Sequence, residues 1–113
     1  MAAVTSISRL SSSRIAVGTY TGDGAATQAV TGLGAMCEAL QVWVDRADAG
    51  ALAYQKILLK TSDSTTTFCT DIAGMAEVDD AIVSLDADGF TVGDEGVQHP
   101  NHDTVVYKFI AWF

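Results

Sequence analysis

The two histidines of the chain stand three residues apart, in His99-Pro100-Asn101-His102. Such a pair in a loop could hold a metal, and three copies around a symmetry axis would bring six nitrogens together. No acid is fixed beside them by the sequence, so His99 and His102 are read as solvated loop histidines and no metal is expected. Asp86-Ala87-Asp88-Gly89 resembles the opening of a calcium loop. It lacks the later oxygen ligands and the closing bidentate Glu, and predicts a hairpin turn with Gly89 in the left-handed position. Glu77, Asp79 and Asp80 read as a solvated acidic face. Ser, His and Asp all occur, but neither a nucleophile elbow nor an oxyanion-hole context accompanies them. Gly18, Gly22, Gly24, Gly32 and Gly34 form no phosphate loop, because no Lys-Ser or Lys-Thr follows and they open no helix. These residue types predict a protein that is not an enzyme and needs no cofactor.

Cys37 and Cys69 belong to no CxxC pair. They read as buried free thiols of a chain folded in a reducing cytosol, with a single bridge between them as the alternative. Trp43, Tyr54 and Trp112 could line a sugar-binding surface. Each also fits a strand position, where core packing is the commoner fate of an aromatic. The same three, with Val4, Ile7 and Arg9 of an N-terminal arm, are the candidate interface residues.

The elements that would carry these residues are short strands. Val4 to Leu10 alternates weakly, as an edge strand or an arm over 1–13. Arg14 to Thr21 places Ile15, Val17 and Thr19 on one face and Ala16, Gly18 and Tyr20 on the other. Gly22-Asp23-Gly24 predicts a hairpin turn, with Thr27 to Val30 as the return strand. Glu38 to Val44 sets Leu40, Val42 and Val44 opposite Ala39, Gln41 and Trp43. Ala51 to Lys60 reads as a strand, although Leu52, Gln55 and Leu59 also fit a helical period. Thr65 to Thr70 is a further strand, and Ile72 to Asp80 a helical turn or a loop. Ala81 to Leu85 and Phe90 to Val92 form a hairpin, and 93–103 is a long polar loop. Thr104 to Phe113 is apolar on both faces, which predicts a central strand buried on both sides. The spacing of strands and turns predicts an all-β, antiparallel, jelly-roll-like β-sandwich over 14–113, a single domain.

The chain of 113 residues is 49% hydrophobic and 18% charged, with a formal net charge of −8. Residues 1–60 balance at +1 and residues 61–113 at −9. So acidic a surface repels phosphate backbones, which argues against nucleic acid as a partner. It either keeps copies apart or docks on a basic partner. No run reaches the roughly 18 apolar residues of a membrane span, so no membrane partner is expected. The Arg- and Ser-containing start leads straight into a strand and is read as mature protein.

Four segments occur in order: Gly18-Thr19-Tyr20-Thr21-Gly22-Asp23-Gly24, Val30-Thr31-Gly32-Leu33-Gly34, Asp88-Gly89-Phe90-Thr91-Val92-Gly93 and Tyr107-Lys108-Phe109-Ile110-Ala111-Trp112. Together they resemble a family of small Gly-turn β-sandwich domains in structural proteins of tailed bacteriophages, over residues 14 to 113. The resemblance implies a virion structural protein, assembled in the host cytoplasm beside other virion proteins and its own copies. A many-copy capsid decoration or cementing protein is the first expectation. A tail, baseplate or tail-fibre component, or a receptor- or carbohydrate-binding module, is the alternative. The resemblance brings no catalytic residues with it.

Overall fold

The computed structural model describes residues 5–9, 14–45, 57–71, 74–78, 81–94 and 100–113, with backbone alone at 5–9, 69–71 and 74–78. These residues form ten strands: β1 (Thr5–Arg9), β2 (Ile15–Thr21), β3 (Thr27–Thr31), β4 (Ala39–Val44), β5 (Ile57–Thr61), β6 (Thr67–Asp71), β7 (Gly74–Val78), β8 (Ile82–Asp86), β9 (Gly89–Gly93) and β10 (Val106–Trp112). Every pairing is antiparallel. One sheet has the order β1-β2-β10-β4-β5-β6-β7 and the other β3-β9-β8. They pack face to face as an all-β sandwich, the class expected from the sequence.

Side-chain alternation explains why two layers form. Ala16 and Tyr20 on β2, Leu40, Val42 and Val44 on β4, Leu58 on β5, and Tyr107, Phe109 and Ala111 on β10 all point inward and are buried. Val30, Ile82, Phe90 and Val92 answer them from the smaller sheet. Four rings form the centre. Tyr20 stacks on Tyr107 at 5.2 Å, and Phe90 meets Tyr20 at 5.7 Å and Phe109 at 5.1 Å edge-on. These are the arrangements that ring quadrupoles favour. Burying one such side chain contributes roughly 1.5–3 kcal/mol.

The turns do different work from that predicted. Gly22-Asp23-Gly24 is not a hairpin: β2 pairs with β1 and β10, whereas β3 pairs with β9 in the other sheet. The segment is a crossover between layers, held by the fully buried Asn101. Its Nδ2 donates to Asp23 Oδ1 and to the Ala25 carbonyl, both at 2.9 Å, and its Oδ1 accepts the Asp23 N–H at 3.1 Å. A hairpin here would leave the buried Asn101 amide unpaired, which outweighs the local turn preference. The Asp86–Gly89 hairpin forms, joining β8 to β9. Gly89 is not left-handed, however. It is glycine because a Cβ there would overlap the Val30 carbonyl oxygen of the paired strand β3.

Two further readings change. Residues 74–78, expected in a helical turn or loop, form β7 on β6, from Thr67↔Val78 to Asp71↔Gly74. The open edge of β6 offers a ladder of backbone partners that one helical turn with a glycine does not match. In the ambiguous 51–60 stretch, strand begins at Ile57, and 51–56 lie outside the described residues.

Candidate functional site

β10 is central, third in the order of its sheet and paired with β2 and β4. Only its inner face is buried. The outer face carries Val106, Lys108, Ile110 and Trp112, none of them in the core. Among the described residues, therefore, the apolarity on both sides does not correspond to two packed faces.

Register extends this outer face sideways. Trp112 pairs with Ile15 and Ala39, Ile110 with Val17 and Gln41, and Lys108 with Thr19 and Trp43. Gln41 pairs in turn with Leu59, and Leu59 with Phe68. Ile15 and Val17 are each 44% exposed, Ile57 45% and Phe68 37%. The result is a continuous apolar face across β2, β10, β4, β5 and the start of β6. A shallow groove of about 400 Å³ runs along it, lined by Val17, Thr19, Trp43, Lys108 and Ile110. Lys108 is the single charge on this face of β2, β10, β4 and β5, and its Nζ lies 3.9 Å from Asp45. So long and exposed a pair adds little stability, but it offsets the charge locally.

The smaller sheet is the control within the same molecule. Its outward positions are Thr27, Ala29 and Thr31 on β3, Thr91 on β9, and Ser84 and Asp86 on β8. That is a normal solvated face. The outer layer of the larger sheet has the composition of a surface meant to be covered.

The predicted site residues fall as follows. Trp43 and Trp112, for which core packing is the commoner fate, lie half-buried on the outer face. Ile7 and Arg9 are in β1 at the sheet edge, opposite Gly18 and Ala16. Val4, Tyr54 and His99 lie outside the described residues. His102 is a turn residue whose N–H donates to Tyr107 Oη at 3.1 Å. Among the described residues no group of three or more His, Cys, Asp or Glu is placed to hold a metal. The acids of the suspected calcium loop serve the fold. Asp88 accepts the N–H of Gly34 at 2.7 Å and of Gly32 at 3.2 Å, and Asp86 accepts the hydroxyls of Ser84 and Thr91 at 2.6 and 2.7 Å. Cys37 is a free, buried thiol, so the bridge to Cys69 does not form. Burial pushes its acidity down by raising the pKa, the Asp86 charge adds to this, and a backbone hydrogen bond acts in the opposite sense. It is an inert packing residue.

Ile15, Val17, Ile57, Leu59, Phe68 and Ile110 share this outer face and are not among the interface residues expected from the sequence. The signal for them was present in the doubly apolar last strand and in the grouping of Ile15, Val17 and Thr19. Known proteins give no further guide, since no family model matches the chain and neither a curated protein nor a solved structure matches it.

Proposed function

We propose that this chain is a virion structural protein of a tailed bacteriophage, a many-copy domain that decorates and cements the capsid by laying the outer face of its larger sheet on a neighbouring virion protein. The observation that carries the reading is the contrast between the two outer faces, one Trp/Ile/Val/Leu/Phe and the other Thr/Ser/Asp. Four strands about 4.8 Å apart and five to seven residues long present roughly 400 Å² of projected surface. A face of this extent suits many copies on a repeating lattice, where tethering raises the effective concentration. The order of the Gly-turn segments supports the phage assignment, and the work is assigned to a surface, with no catalytic role.

Mass spectrometry and cryo-electron microscopy of purified particles test this directly. The chain is expected in stoichiometric amount, with Ile110 and Trp43 against a shell subunit. Its absence from purified virions would end the proposal, and its presence only in the tail would move it to the tail or baseplate. Trp43 beside Thr19, Gln41 and Lys108 favours a second reading, a glycan-binding surface, since an aromatic face edged by polar groups suits a sugar ring. A glycan array distinguishes this from a protein partner.

A further inference from the structure

The smaller sheet has three strands against seven in the larger, so it does not roof the whole inner layer. Its edge strand β8 lies nearest β5. There an open cleft of about 410 Å³ is lined by Met36, Lys60, Ser62, Thr65, Val83 and Leu85, among others. Lys60 points inward from β5 and is 7% exposed. Its Nζ donates to the Ser64 carbonyl at 2.9 Å, and among the described residues no carboxylate pairs with it. An ammonium has three donors, and a lysine this buried is rare without a counter-charge. The neighbouring hydroxyls divide into two sets. Those of Ser64 and Ser84 are engaged, on the Thr66 carbonyl at 2.8 Å and on Asp86 at 2.6 Å. Those of Ser62 and Thr65 have no partner among the described residues.

We propose that this cleft binds a carboxylate carried on a short apolar stem. Lys60 Nζ is the counter-ion, Ser62 and Thr65 donate hydroxyl hydrogen bonds, and Met36, Val83 and Leu85 pack against the stem. A phosphate fits less well. Phosphate sites gather several charge-assisted donors or a helix N-terminus, whereas here one ammonium stands alone in a chain of net charge −8, which repels a dianion more than a monoanion. The carboxylate can come from a free organic acid or from an acidic side chain of another protein molecule. The inference does not depend on the function proposed above.

The test is an NMR titration of the amide signals of Ser62, Thr65 and Leu85 in the full chain. Butyrate represents the free acid, N-acetyl-glutamate α-amide the acidic side chain, and inorganic phosphate is the contrast. Saturable shifts with either carboxylate are expected, and the tighter of the two identifies the source. Lys60→Met keeps the length and removes the charge, and should raise the dissociation constant by at least about tenfold. Should that variant not fold, Ser62→Asp leaves Lys60 in place, sets a tethered carboxylate at the rim and is expected to weaken butyrate binding by a similar factor. No saturable shift with either carboxylate, unchanged affinity in the variant that folds, or tighter binding of phosphate overturns the proposal.

Discussion

Tyr20 shows how one side chain joins both layers. Its ring lies in the core and its Oη donates to the Pro100 carbonyl at 2.7 Å. Its pKa is raised well above the ordinary value, first by burial and then by the neighbouring Tyr107. In the unfolded chain the phenol titrates at about 10. Above that pH the unfolded state gives up a proton that the folded state retains, so this contribution is intact below about pH 10 and stability falls as pH rises beyond it. Tyr20→Phe is expected to cost about 1–2 kcal/mol at neutral pH through the lost hydrogen bond, and to flatten part of the alkaline fall. Urea unfolding at pH 7 and at about pH 10.5 checks both, and equal alkaline losses in the two proteins would exonerate the phenol. Thr104 is the opposite case, a side chain in an unsuitable place. It is β-branched, exposed and held at φ 66°, with its N–H on the Gly22 carbonyl at 3.0 Å. The left-handed region costs an ordinary residue roughly 1–2 kcal/mol, and Asn tolerates it better. Thr104→Asn should raise stability by about 0.5–1 kcal/mol, read as a higher urea midpoint with an unchanged slope.

At the scale of elements, local patterning and long-range demand part company. Strands such as β2, β4 and β10 were legible because period-two alternation is a property of the segment itself: Leu40, Val42 and Val44 turn inward wherever β4 is placed. The partner of each strand was not legible in the same way. Nothing within Gly22-Asp23-Gly24 tells a hairpin from a crossover, because the deciding group, Asn101, lies in a distant polar loop. Likewise Gly89 looks like a turn glycine, and its real constraint is the backbone of β3. The outer apolar face was half visible. Its apolar residues could be read, but the assumption that a central strand is covered on both sides hid their exposure. Lys60 gave no signal, since its burial follows from the distant strand β8 packing beside β5, which its own segment does not encode. The crossover can be tested through its amide. Asn101→Ala removes two donated bonds and one accepted bond from a part-buried junction. The expected loss is about 2–4 kcal/mol, with faster hydrogen exchange at the Gly24 N–H that donates to the Asn101 carbonyl at 2.9 Å. A loss confined to a few tenths would mean that solvent satisfies these groups and that the crossover does not need them.

For the whole molecule, the deciding balance is between a net charge of −8 and one apolar face whose described charge is a single lysine beside an aspartate. Charge–charge forces beyond about 10 Å are screened at 0.1 M salt, whereas apolar contact is not. Docking through the apolar face should therefore strengthen, or at least hold, as salt rises. A contact built from ion pairs would weaken. Ile110→Lys places a second ammonium beside Lys108 in the middle of the face. Among the described residues no second layer covers Ile110, so the folded domain should lose no more than about 1 kcal/mol, the span of strand preferences. Binding should fall by two orders of magnitude or more, because an unpaired charge would be desolvated at the centre of the contact. Sedimentation with isolated shells at low and high salt, set beside the urea midpoint of the free chain, separates these effects. If Ile110→Lys binds as well as the unsubstituted chain, or if salt releases both alike, then the broad apolar layer is not the docking surface and the acidic half of the chain must supply it.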